Sequence, residues 1–248
     1  MSLDGLRFAL GTLSVFPVRV TRVDRVVAGR AMALAPAVGL ALGAVAALPL
    51  LLPGPPLLGA ALALGLLAVL TRGLHLDGLA DLADGLGSGK PAAQALDIMK
   101  KSDIGPFGVM AVLFTVLVQA TALTEAGAIG LMTACLAGRL TLTWACRPAV
   151  PAARPDGLGA TVAGTVRTRT ALLVTVAALV VTAALPLRPG VPVRELIGPP
   201  VALLAGLAAA SFLLVRARRR LGGITGDVLG ALVETAAAAA LVVYALVG

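Results

Sequence analysis

Long apolar runs decide what this chain can become. They fall at about 31–52, 57–72, 108–123, 127–146, 171–187, 199–215 and 228–247, and several approach or exceed the roughly 17–25 residues that a helix needs to cross a bilayer. Charged residues make up only 13% of the chain, whereas a soluble domain carries about 25%. The runs are continuously apolar rather than alternating, which excludes an outer-membrane barrel. The predicted fold is all-α: a polytopic integral membrane protein, about seven transmembrane helices in one bundle, with residues 1–248 as a single domain. Pro53, Pro55 and Pro56 mark the first turn, and Pro186, Pro189 and Pro192 a later one.

The basic residues between these runs carry the orientation. Seventeen of the 20 lysines and arginines fall in four segments on one side. They are Arg7 to Arg30 before the first run, Arg72 to Lys101 after the second, Arg147 to Arg169 after the fourth and Arg216 to Arg220 after the sixth. Arg188 and Arg194 alone face the other way, and Arg139 lies within a run. By the positive-inside rule the N-terminus and the large loops are expected in the cytoplasm, with the protein in the cell membrane. The net charge of +8 is thus a topology signal and does not point to nucleic acid, for which the chain also has too few aromatics to form a stacking surface.

Three further features read as structural. Cys135 and Cys146 lie about 16 Å apart along one helix, too far for a disulfide. The N-terminus lacks the charge order of a signal peptide, and residues 5–16 are expected to form an interfacial helix. Gly39-xxx-Gly43 and Gly226-xxx-Gly230 are expected to pack helices within the bundle, while Trp144 and Tyr244 suit interfacial anchors.

Every unusual polar motif falls on the expected cytoplasmic side. His75-Leu-Asp-Gly-Leu-Ala-Asp-Leu-Ala-Asp-Gly85 holds three of the chain's 12 acidic residues. On a helix Asp77, Asp81 and Asp84 would share one face. Like charges so close raise one another's pKa unless a cation intervenes, and carboxylates without thiol or imidazole partners suit a hard cation such as Mg²⁺. A solvated acidic turn with no ligand is the alternative. Gly78 and Gly85 either allow close approach or end the helix. Ser102 and Asp103 precede the third run, where they either cap a helix or bind phosphate or metal. Gly222, Gly223 and Thr225 offer backbone N–H groups to a phosphate, although no lysine follows them as in a Walker loop. Arg139 and Glu234 are charges inside apolar runs; they either pair with each other or face a functional cavity.

These motifs, in this order, resemble the cobalamin synthase (adenosylcobinamide-GDP ribazoletransferase) family. The resemblance rests on His75 to Gly85, on Ile98-Met-Lys-Lys-Ser-Asp-Ile-Gly105, on Ala153-Arg-Pro-Asp-Gly-Leu-Gly159, and on Leu221-Gly-Gly-Ile-Thr-Gly-Asp227 with Glu234. Phe16-Pro17-Val18 also fits, so nearly the whole chain is covered. One departure is the placement of Asp103 after Ser102, where the family often has an aspartate before the serine.

The resemblance implies a Mg²⁺-dependent membrane enzyme of the last stage of vitamin B12 assembly. It would join adenosylcobinamide-GDP to α-ribazole or its 5′-phosphate and release GMP. It further implies Asp77, Asp81, Asp84 and Asp103 as metal ligands, and Arg139, Arg154, Ser102, Gly222, Gly223 and Thr225 as substrate contacts. Asp227 and Glu234 are the candidates for completing the metal set or taking the hydroxyl proton, and His75 is a candidate base or, alternatively, orients a neighbouring carboxylate. A homo-oligomer, and docking of other cobalamin-assembly enzymes on the cytoplasmic face, are left open. Two other readings compete. A CDP-alcohol phosphotransferase would share the Asp81-x-x-Asp84-Gly85 start but needs a different continuation. A cation-coupled transporter would place its acidic residues near the membrane midplane, where few of these fall.

Overall fold

The computed structural model describes residues 3–189 and 192–248. All of its regular elements are helices. Four are long and apolar enough to cross a membrane, or five if α3 and α4 count together as one bent span. In chain order the helices are α1 (Asp4–Leu13), α2 (Arg25–Ala46), α3 (Pro56–Leu70), α4 (Leu74–Gly87), α5 (Ala92–Ile98), α6 (Pro106–Ala145), α7 (Gly157–Val162), α8 (Thr168–Ala184), α9 (Val193–Leu221) and α10 (Gly226–Val247).

Local chemistry explains several boundaries. Asp24 caps α2 by accepting hydrogen bonds from the N–H groups of Val26 and Val27, both at 2.9 Å. Thr225 caps α10 through Val228 N–H at 3.2 Å. Between α3 and α4, Arg72 and Gly73 both take left-handed backbone conformations, with φ of 56° and 66°. Two such residues in succession turn the chain through 89°, so α4 does not continue the path of α3 across a bilayer. Exposed apolar side chains such as Leu62, Phe114, Leu173, Val180 and Phe212 give the bundle the lipid-compatible surface that the composition calls for.

The 40-residue α6 is not a single rod. Gly127 within it has φ 58° and ψ −160°, conformations that only glycine adopts at low cost. Gln119 Nε2 donates to Glu234 at 2.9 Å, and a Cβ on Gly138 would lie 2.9 Å from the carbonyl oxygen of Val233. In a straight helix Gln119 and Gly138 would stand about 28 Å apart, yet both touch adjacent residues of α10. The helix therefore folds back at Gly127 into two arms, 106–126 and 128–145. The second arm is the core of the protein: it packs on α2 and α10, and nearly every residue from Gly130 to Ala145 is buried.

The structure revises two packing expectations. Tyr244, expected as an anchor, is buried at 8% exposure and packs against Gly130. Arg216 to Arg220 belong to the last turns of α9, not to a loop. Cys135 and Cys146 are free and buried, and α1 lies close to the expected 5–16.

Candidate functional site

The site forms where α4 crosses the start of α10. Two glycines let the helices meet: a Cβ on Gly78 would lie 2.8 Å from the backbone oxygen of Asp227, and one on Gly230 would lie 3.2 Å from His75. This close crossing places Asp77 and Asp81 of α4 beside Asp227 of α10. Burial is the largest cause that pushes Asp81 up to about 7, followed by the charges of Asp227, Asp77 and Asp84, against a small opposing pull from Arg154. Asp103 is not among the charges acting there.

Arg154 reaches this cluster from the loop before α7. Its Nη1 lies 4.0 Å from Asp227 Oδ2, its Nη2 donates to the carbonyl of Leu96, and its Nε is buried without a partner. Thr225 Oγ1 donates to Asp227 Oδ2 at 3.2 Å. The arrangement thus offers three carboxylates and a guanidinium that retains donor capacity. Such a set can hold a diphosphate together with a hard cation. Among the described residues, no group of three or more His, Cys, Asp or Glu side chains is drawn together closely enough to count as a formed metal centre.

The structure separates the other candidates from this cluster. Asp84, on the same helix, accepts hydrogen bonds from the N–H groups of Gly105 at 2.7 Å and Gly108 at 3.0 Å. It satisfies the free donors at the start of α6 from outside that helix. Ser102 and Asp103 are exposed in the preceding loop; the N-cap position belongs to Gly105, which has no capping side chain of its own.

Gly222 has φ 86° and ends α9, while a Cβ on Gly223 would lie 2.6 Å from the backbone carbon of Ala152. These glycines serve a tight backbone approach. Ile224 N–H donates to Pro151 at 2.9 Å, and Ala153 N–H to Ile224 at 2.9 Å. Of the expected phosphate donors, Gly222 N–H is spent on Arg218 at 3.0 Å, closing α9.

The two intramembrane charges have different surroundings from those expected. Arg139 is 2% exposed, and its Nη2 faces His75 Nδ1 at 3.5 Å. It is enclosed in the core against His75. Glu234 accepts from Gln119 and lines a separate cavity of about 240 Å³ between α3, the first arm of α6 and α10. Seven residues from Asp227, it lies about 10 Å farther along α10 and does not complete the carboxylate set. No Arg139–Glu234 ion pair forms among the described residues. His75 is 3% exposed; burial, reinforced by the Arg139 charge, holds its imidazole well below the usual range, so it is neutral.

Sequence reasoning missed Gln119, although a lone amide inside an apolar run was a signal. It also missed Leu13 and Met32, which line a cavity of about 140 Å³ beside His75 and Asp77; nothing in an apolar residue's spacing announces that role.

The chain matches the family described as Cobalamin-5-phosphate synthase over residues 5–245. It is 47% identical to a protein named adenosylcobinamide-GDP ribazoletransferase from Frankia casuarinae, covering 97% of this chain and 94% of that one. Proteins of the same name from a Nocardioides species and from Bradyrhizobium diazoefficiens are 42% and 36% identical. Those alignments cover 98% and 97% of this chain, and 98% and 92% of the relatives. No solved structure matches.

Proposed function

The chain belongs to the cobalamin-5-phosphate synthase family, and from that premise we propose how its residues perform the family's reaction. It is an adenosylcobinamide-GDP ribazoletransferase, an enzyme of the final step of cobalamin assembly. The family match decides against the CDP-alcohol phosphotransferase and transporter alternatives. A ribose hydroxyl of α-ribazole, or of its 5′-phosphate, attacks the phosphorus bonded to cobinamide. A new P–O bond forms, the bridging P–O bond of the diphosphate breaks, and GMP leaves with that electron pair. The hydroxyl proton passes to a base.

The observation that carries this assignment is the meeting of Asp77, Asp81, Asp227 and Arg154 at the Gly78 crossing. The donor set fits a divalent cation. It is all oxygen, and the mutual repulsion that helps to raise Asp81 is what a cation relieves. Asp77 and Asp81 would hold Mg²⁺, which when bound would neutralise charge on the diphosphate and on the departing phosphate. Arg154 binds a diphosphate oxygen through its free donor capacity. Asp227, held by Thr225, takes the hydroxyl proton. Glu234 is too deep for that role, and His75 is enclosed against Arg139. Asp84 is the clasp on α6.

We read the topology as seven spans: α2, α3, the two arms of α6, α8, α9 and α10. The fold-back at Gly127 supports counting α6 twice, and the 17-residue apolar α8 is long enough with local thinning. The charge asymmetry supports a cytoplasmic N-terminus and site in the cell membrane.

Purified protein supplied with adenosylcobinamide-GDP, ribazole and Mg²⁺ is expected to release GMP and to stop when any of the three is omitted. Release that persists without ribazole would contradict the reading, as would full turnover in the presence of a strong chelator.

A further inference from the structure

Away from the carboxylates, a groove of about 560 Å³ lies between the start of α2 and the chain that leads into α8. Three arginines line it: Arg25 and Arg30 of α2, and Arg167 immediately before α8. Thr165 and Thr170 add hydroxyls. None of Asp77, Asp81, Asp227 or Arg154 belongs to its walls, so the groove is separate from the candidate site.

Specific contacts build this groove. Gly29 lets α2 meet the loop, since a Cβ there would lie 2.6 Å from the carbonyl oxygen of Thr165. Arg25 Nη1 donates to the carbonyl of Ala160 at 3.2 Å and Nη2 to that of Ala163 at 2.6 Å, which fixes the guanidinium without neutralising its charge. Among the described residues no acidic side chain lines the groove. Asp24, adjacent in sequence, is taken up by Arg22 and by the N–H groups of Val26 and Val27. Three like charges gathered in one concavity attract an anion.

Position narrows the kind of anion. Arg25 opens the candidate membrane span of α2, so the groove lies where a bilayer meets water. Farther along, the same face of α2 carries Ala33, Ala37 and Leu40, and that of α8 carries Val174 and Ala177, all exposed or half-buried. The two helices pack on each other. A cationic head site that opens onto an apolar furrow matches an amphiphile, whereas a soluble phosphate would use only the cationic half.

We propose that the groove binds the headgroup of an anionic phospholipid, with its phosphodiester between Arg30 and Arg167, Arg25 at the rim, and an acyl chain along the α2–α8 furrow. Arginine suits this role because its planar fork can hold two phosphate oxygens at once. The lipid joins the start of α2 to the start of α8 across the groove. Lipid binding there stands apart from the transfer reaction and does not depend on it.

The test is thermal unfolding of the purified full chain in a neutral detergent, titrated with dioctanoyl phosphatidylglycerol. This lipid is expected to raise the unfolding temperature saturably, and dioctanoyl phosphatidylcholine is not. Inorganic phosphate at matched ionic strength is expected not to displace it. The double variant Arg30→Gln/Arg167→Gln is expected to raise the half-saturating lipid concentration at least about tenfold, at about fivefold for each arginine. Arg216→Gln/Arg219→Gln removes equal charge from exposed positions at the end of α9, and is expected to leave that concentration within about twofold. Arg167→Gln alone, at an exposed position outside the helix, keeps the comparison if the first double variant does not fold, with a rise of about fivefold. Equal stabilisation by the two lipids would overturn the proposal. So would equal losses in the two double variants, which would mark general charge attraction, or displacement by inorganic phosphate, which would mark a soluble ligand.

Discussion

The two ends of α4 carry the same chemistry and do different things with it. At the N-terminal end Asp77 and Asp81 meet a third carboxylate, Asp227, across a glycine contact, and the result is a repulsive, half-buried cluster. At the C-terminal end, one helical turn on, Asp84 meets the free N–H groups of Gly105 and Gly108, and the result is a satisfied clasp. The residue type and the helix face are the same; the partner decides. Repulsion left in a folded protein is a cost that something else must relieve, and that marks a ligand site. A carboxylate already satisfied by backbone donors marks structure.

The strongest way to sharpen this contrast is Asp81→Asn. It removes a cluster charge and keeps the shape, so GMP release is expected to fall by about 100-fold or more, on the scale of losing a key electrostatic group, with no loss of thermal stability. Gly78→Val comes next. A side chain there would push Asp227 away from α4, and both activity and stability are expected to drop, the latter by about 1–3 kcal/mol as in other overpacked contacts. Asp84→Ala is the converse of the first variant. Loss of two charge-assisted bonds to a helix start is expected to cost about 2 kcal/mol in unfolding experiments, while the activity of the protein that remains folded stays within about threefold.

A pH titration is gentler. The carboxyl of Asp81 titrates near 7 in the folded protein and near 3.8 in its unperturbed form. The metal-free fold therefore holds an extra proton between those values, and its stability declines as pH rises through that window. Metal binding must displace that proton, so the Mg²⁺ concentration for half-maximal activity is expected to rise as pH falls below 7. Asp81→Asn is expected to lack the declining stability. The smallest expected effect is that of Asp103→Asn, whose exposed side chain touches neither end of α4; activity within about twofold of wild type checks it.

Much of this was legible in the sequence, for physical reasons that differ by region. Apolar run length is a local property, so the helices of the bundle emerge close to their expected bounds, including the break in α6 near 127. The i, i+4 spacing of Asp77 and Asp81 is also local, and their helix is there. What sequence could not settle was pairing between distant segments. Asp84 looks identical to Asp81 until α6 docks on it, and Gly223 looks like a phosphate loop until Pro151 to Ala153 lie against it. Arg139 and Glu234 stand out in the sequence as charges inside apolar runs, but only the fold assigns them separate partners, His75 and Gln119.

The proposed division of α4 makes Asp81 a ligand group and Asp84 a structural one. Titration of purified protein with Mn²⁺, read by the electron spin resonance of the free ion, tests it without requiring turnover. Wild type and Asp84→Asn are expected to bind Mn²⁺ alike, whereas Asp81→Asn is expected to bind at least about tenfold more weakly. Undiminished binding by Asp81→Asn, with binding lost in a folded Asp84→Asn, would reverse these two roles.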